Sequence, residues 1–258
     1  MWAALPYIFS AHHPPDEPYM KIRLLGALEL PSARVNGLLL AELSGLTWDA
    51  DENLLYAISD RGILFHLLPT FSNEHLIDVK IKSAFRLNGP MGNKLNGVNS
   101  DSEGLDAINH RNGILGDTQL LVSFERNPRI VSYDNNGNMI ADHVLPGNLV
   151  KGYKNSNKGL ESVAFSNQFG IVTAAEMPVE PNEQTTLIYS LRGHHWQFLR
   201  YPAPNSSLVA LEILPNGQVL TLERSFQSIW HPVLTVLRLT QPLSEFNSHT
   251  TTDIVARF

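Results

Sequence analysis

Acidic residues recur at matched points along this chain of 258 residues. Glu103-Gly104-Leu105 is followed by Phe124-Glu125-Arg126, and Glu161-Ser162-Val163 by Glu176-Met177. Glu212-Ile213-Leu214 is followed by Leu222-Glu223-Arg224, and Ser44-Gly45-Leu46 by Ser59-Asp60-Arg61. Carboxylates that converge cannot all stay ionised without compensation. A hard cation such as Ca²⁺ takes six to eight oxygen ligands and suits such a set. Arginines can pair with some of the acids, and others can keep their protons and serve as general acids or bases. Asp60, Glu103, Glu125, Glu161, Glu212 and Glu223 are therefore the candidate metal ligands. Glu161 and Glu176 are the candidate acid/base pair, because Glu176 alone among the second acids has no arginine directly after it. Arg61, Arg126 and Arg224 either bind an anionic substrate such as a phosphate ester or brace the neighbouring acids. A purely structural role in ion pairs between repeats stays open beside these readings.

The elements that must position these residues are short strands. Leu43–Trp48, Leu54–Ser59, Ile63–Leu68 and His75–Leu87 make the first group of four. Leu105–Asn109, Gln119–Phe124, Arg129–Tyr133 and Met139–Leu145 make the second. The third runs through Leu160–Phe165, Gly170–Ala175, Thr185–Ser190 and Trp196–Tyr201. The fourth runs through Leu208–Leu214, Gln218–Leu222, Val233–Leu239 and Thr252–Arg257. Asp134-Asn135-Asn136-Gly137-Asn138 and Pro215-Asn216-Gly217 read as hairpin turns, since Asn and Gly accept positive φ. Gly147 to Lys158 reads as a polar loop, and no window of twelve residues has helical periodicity.

The 58 residues from Glu103 to Glu161 and the 51 from Glu161 to Glu212 match one four-stranded propeller blade. The expected fold is all-β: a β-propeller with four repeats and an incomplete closing blade. Residues 1–20 read as an N-terminal segment or linker, and residues 21–258 as one propeller domain. The lone strand Lys21–Leu30 looks like an outer strand that completes a C-terminal blade, a closure that hides an edge. The absence of further repeats suggests a truncated chain. In this geometry the start of the first strand and the end of the second lie at one end of an antiparallel pair. Ser44 then neighbours Asp60, Glu103 neighbours Glu125, Glu161 neighbours Glu176 and Glu212 neighbours Glu223. Seven carboxylates would meet at one mouth, with Glu42 and Asp101 close behind.

Composition narrows the function classes. The net charge of -6 leaves no basic face for nucleic acid. With no cysteine there are no disulfides, thiolate metal sites or cysteine nucleophiles. No run of about eighteen apolar residues is present to span a bilayer. The segment Met1–Ser10 is apolar but lacks a basic start, and His12-His13 lies in a proline-rich stretch that reads as a solvated linker. The Gly-x-Ser-x-Gly elbow, the phosphate-binding Gly-rich loop and His-Glu-x-x-His are all missing.

Several of these segments together resemble the phytase-like family, described as having esterase-like activity of phytase. They are Glu42-Leu43-Ser44-Gly45-Leu46, Leu55 to Gly62, Asp101-Ser102-Glu103-Gly104-Leu105, Ser123-Phe124-Glu125-Arg126, Asn157 to Ser162, and Leu222-Glu223-Arg224. The resemblance implies an exported β-propeller, periplasmic or secreted, with phosphoesterase or esterase activity. Its members continue into further strands that this chain lacks. The expected activity is a Ca²⁺-type metal-assisted hydrolysis of a small anionic ester by a monomer. A non-catalytic binding propeller and a lactonase-type Ca²⁺ propeller are the alternatives.

Overall fold

Alternation of apolar and polar residues at period two, broken every few residues by Asn, Asp, Gly or Pro, leaves antiparallel sheets as the way to bury the apolar side chains. The structure, a computed structural model, describes residues 4–8, 16–153, 158–178, 180 and 183–258. His12, His13 and Asn157 lie outside the described residues.

Four four-stranded antiparallel sheets follow one another as the blades of a β-propeller. Blade 1 consists of Leu43–Asp49, Leu54–Ser59, Ile63–Ser72 and His75–Arg86. Blade 2 has Ser102–Ile108, Gln119–Phe124, Arg129–Tyr133 and Met139–His143. Blade 3 has Leu160–Ser166, Gly170–Ala175, Thr185–Ser190 and His195–Leu199. Blade 4 has Ser206–Ile213, Val219–Ser225, Leu234–Thr240 and Thr252–Arg257. In each blade the strands pair in chain order, and the first lies innermost. The turns behave as their residues require: Gly137 and Gly217 take φ of 81° and 82°, and Asp134 Oδ1 accepts the N–H groups of Asn136 and Asn138.

The core lies between blades. Tyr56, Ile58 and Leu64 of blade 1 pack against Leu105, Val122 and Phe124 of blade 2. Leu121 and Ile130 of blade 2 meet Leu160, Val163 and Ile171 of blade 3. Val172, Ala174 and Ile188 of blade 3 meet Leu208, Leu211 and Val219 of blade 4. The inner strands approach so closely that a β-carbon on Gly104 would lie 2.7 Å from the Val163 amide nitrogen and 2.8 Å from Ser162 Cα. Gly104→Ala therefore pushes on the buried Ser123 Oγ, 2.6 Å away, as well as on this backbone, and is expected to cost roughly 1–3 kcal/mol by overpacking. A thermal melt several degrees lower would register this, and an unchanged melt would contradict it.

Two expectations need correction. The segment Lys21–Leu30 does not form one outer strand, because Gly26, at φ 129°, interrupts it. Ile22–Arg23 pairs with Pro18–Tyr19, and Leu28–Glu29 pairs with Leu5–Pro6. Blade 4 draws all four strands from the C-terminal part of the chain. The N-terminal segment acts as a strap instead. Lys21 donates to the Val255 carbonyl on blade 4, Leu76 of blade 1 donates to the Leu25 carbonyl, and Leu28, Leu30, Leu38 and Leu40 cover blade 1's outward face. The polar loop from Gly147 also contains one α-helix, Gly147–Tyr153. It is too short for a periodicity search, but Leu149 and Tyr153, four apart, are both buried by it.

Candidate functional site

Each inner strand opens with a β-bulge, which places one extra residue at the mouth of the ring. The bulges fall between Leu43 and Gly45, Ser102 and Leu105, Leu160 and Ser162, and Leu208 and Ala210. The residue after each second strand folds back toward the same point. Asp60 donates its N–H to the Glu42 carbonyl, Glu125 to Asp101 and Glu176 to Gly159. Register thus makes Ser44, Glu103, Glu161 and Val209 equivalent, and likewise Asp60, Glu125, Glu176 and Arg224.

Blades 2 and 3 consequently build the acidic centre. Asp101, Glu103 and Glu125 bring one carboxylate oxygen each to within 4.8 Å of one another, as do Glu125, Glu161 and Glu176. Glu125 belongs to both groups and is 2% exposed. Burial raises Glu161 to about 9, with the carboxylates of Glu103, Glu176 and Glu125 adding to the effect and Arg224 opposing it. Burial, then Glu125, Asp101 and Asp60, raise Glu103 to about 8. Glu125 rises to about 7, first by burial and then by Asp101, while the Gly159 N–H holds it back. Asp60 and Asp101 shift upward too, chiefly by burial. Around neutral pH this centre shares protons in place of carrying one full charge per carboxylate.

Blade 4 departs from the sequence expectation. Glu212 pairs with Leu220, not with Glu223, and sits three residues down the strand from the mouth. Glu223 pairs with Leu208 and points into the body of the blade. There it meets Arg238 Nη1 at 2.6 Å and accepts the Tyr201 N–H at 2.6 Å. Neither residue joins the acidic centre. The misreading came from aligning acid with acid; the bulge moves the register by one residue, and a side chain that moves by one residue changes face. Arg224 occupies the place of the second acid. Its Nη2 lies 3.8 Å from Glu176 Oε1, which also accepts from Ser207 Oγ at 3.0 Å. Glu176 therefore does have an arginine beside it, supplied by the next blade.

The other two arginines pair within their own blades, Arg61 with Glu42 and Arg126 Nε with Asp101 Oδ2 at 2.9 Å. All three arginine side chains stay about half exposed, at 56%, 50% and 51% for Arg61, Arg126 and Arg224. Each thus stands beside an acid near the mouth with about half of its side chain exposed.

Sequence reasoning named Asp101 only as a neighbour, whereas the fold makes it a member of the centre. It missed Asp106 altogether. That buried carboxylate accepts the Ala107 and Phe165 N–H groups at 2.7 and 2.6 Å and the Thr47 hydroxyl at 3.3 Å, so it links the inner strands of blades 1, 2 and 3. An acid inside the apolar run Leu105 to Ile108 was the available signal.

The donor set fits a hard cation. It consists of carboxylate oxygens alone, and the buried Asp60 Oδ1 at its edge has no hydrogen-bond partner. Among the described residues, no helix is long and apolar enough to cross a membrane.

The sequence matches the family model described as "Phytase-like: Esterase-like activity of phytase" over residues 39–253. No curated protein matches it. Similar solved structures include "Structure of Dos1 propeller", at 10% identity and a TM-score of 0.42, covering 80% of this chain and 58% of that one. "COPII on membranes, outer coat vertex" has 16% identity and a TM-score of 0.40, covering 78% of this chain and 47% of that one. The chain spans less than two thirds of the length of both.

Proposed function

This chain belongs to the phytase-like family, and on that premise we propose that it is an ester hydrolase whose reaction centre is the joined pair of carboxylate groups around Glu125. The observation that carries the reading is the convergence of two carboxylate groups on the shared Glu125, where burial raises Glu161 and Glu103 well above ordinary glutamates, beside half-exposed arginines. Paired titratable groups whose environments push them apart are suited to separate acid and base roles.

In this reading Arg126 and Arg224 bind the oxygens of a phosphate or carboxylic ester. Glu161 donates its proton to the leaving oxygen as the P–O or C–O bond breaks. Glu176, oriented by Ser207 and Arg224, takes a proton from the attacking water, whose oxygen forms the new bond. Asp101, Glu103 and Glu125 would hold a divalent cation of the Ca²⁺ type, which supplies charge stabilisation at the ester oxygen and a more acidic water. Asp60 sits at the edge of this set. Glu212 and Glu223 are outside it. Export to the periplasm or medium belongs to the same proposal on the family's account, and a monomeric state belongs to it as our own expectation.

A second reading has an observation behind it. Arg224–Glu176, Ser207–Glu176 and Gly159–Glu125 all cross from one blade to the next, as structural links would. A panel of phosphate monoesters, phosphate diesters, carboxylic esters and lactones, assayed with Ca²⁺, Mg²⁺ or chelator, separates the two. We expect turnover of at least one ester class that chelator lowers tenfold or more. No turnover of any class in any condition would leave the structural reading.

A further inference from the structure

Arg61, Arg126, Arg224 and Arg238 each meet a carboxylate. Arg129, which opens the third strand of blade 2, is partly buried and is held differently. Its guanidinium carbon lies 3.7 Å from the centre of the buried Phe124 ring, so an aromatic side chain covers one face of the plane. Nη1 donates to the Asn127 carbonyl at 3.1 Å, and Nη2 donates to the Asn99 carbonyl. Those bonds use two of the five N–H groups that a guanidinium carries, and no other acceptor among the described residues bonds to it. Burial is the largest influence on its pKa and lowers it, while Tyr133 and Asp142 oppose this from beyond hydrogen-bond distance. A cation drawn out of water with donors to spare is costly until an anion completes it.

Arg129 lines a cavity of about 330 Å³ together with Pro90, Asn93, Leu95, Asn96 and Asn99. These residues belong to the connection between blades 1 and 2, two complete sheets packed on each other. No carboxylate of the acidic centre lines the cavity. Bonds within the connection hold its shape. Gly89 donates its N–H to the Asn93 carbonyl at 2.7 Å, Asn99 to the Asn96 carbonyl at 3.1 Å, and Asn127 Nδ2 to Asn99 Oδ1 at 2.7 Å. A site preformed in this way spends little ordering entropy on a ligand. A guanidinium fork matches both oxygens of a carboxylate. Pro90 and Leu95 suit the apolar body of such a ligand better than the further oxygens of a phosphate.

We propose that this cavity is a second ligand site, separate from the acidic centre, which takes a small carboxylate with a short apolar body and pairs its carboxylate with Arg129. The proposal stands whether or not the protein hydrolyses an ester. The experiment is calorimetric titration of the whole chain with hexanoate, with chelator present so that no cation at the acidic centre draws the carboxylate there. Hexanoate is expected to bind about tenfold tighter than hexanol, which has the same body without the charge, and tighter than inorganic phosphate. Arg129→Gln is expected to weaken hexanoate about tenfold. Because Arg129 also braces the connection, Asn96→Asp is the second variant. It sets a negative charge on an exposed residue of the lining, leaves the core alone, and is expected to weaken hexanoate about threefold with an unchanged melting temperature. No hexanoate binding would overturn the proposal and leave Arg129 as a brace between loop and strand. Binding that a folded Arg129→Gln retains would overturn it too, since the carboxylate would then sit elsewhere. If Arg129→Gln does not fold, binding that Asn96→Asp retains in full would do the same. Phosphate binding tighter than hexanoate would overturn the ligand class.

Discussion

Glu161→Gln is expected to lower kcat for ester hydrolysis by about 100-fold or more, the usual size of a general-acid contribution, while the fold persists. Gln keeps the shape and a hydrogen-bonding group but has no proton to give. The persistence of the fold has its own pH signature. In the folded protein Glu161 titrates near 9, well above an unfolded glutamate near 4.5. A raised acid stabilises the folded state fully below the unfolded value and loses that contribution as pH climbs toward the folded one. With chelator present, the parent protein should therefore lose melting temperature steadily from about pH 5 to about pH 9. Glu103, raised to about 8, adds to the same slope. Glu161→Gln removes the largest titration, so its melting temperature should fall less steeply and overtake the parent's at alkaline pH. Parallel pH–melting curves for the two proteins would show that Glu161 is not strained in this way. Full activity in the variant would remove it from the acid role.

Glu125→Gln should have the largest effect on cation binding, since Glu125 alone belongs to both carboxylate groups. A cation at 100 times its Kd stabilises the folded state by about 2.7 kcal/mol, which for a domain of this size is a rise of roughly 5–10 °C in melting temperature. The parent protein is expected to show such a rise with Ca²⁺ at pH 8.5 and a smaller one at pH 6, because protons on Glu161, Glu103 and Glu125 compete with the cation. Glu125→Gln should keep less than a third of the rise. Glu223→Gln makes an instructive contrast, since Glu223 is tied to Arg238 inside blade 4. It should lower the melting temperature with and without Ca²⁺ by the same amount. If Ca²⁺, Mg²⁺ and Mn²⁺ all leave the parent's melting temperature unmoved, the centre is not a cation site.

Much of the fold was legible in the residues. The strands of all four blades, the Asp134–Asn138 and Pro215–Gly217 turns and the repeat length follow from local chemistry: period-two apolarity, Asn and Gly at positive φ, and strand ends marked by acids. The grouping of Glu103, Glu125, Glu161 and Glu176 was legible too, because an antiparallel pair must bring the start of one strand beside the end of the next. What local pattern could not supply was register across a bulge. Glu212 and Glu223 look like the fourth acidic pair, yet the Leu208–Ala210 bulge sets Val209 and Arg224 in those places. One residue of shift reverses the face of a strand, and nothing in the composition of Leu208 to Leu214 records it. Nor could spacing along the chain place Arg224 beside an acid of the preceding blade, since that contact depends on the angle between sheets. The sequence by itself determined four sheets and where their acids gather. Tertiary packing alone decided which acids share protons, which arginine meets which carboxylate, and that the N-terminal segment straps blade 1 to blade 4, because each depends on distances between segments far apart in the chain.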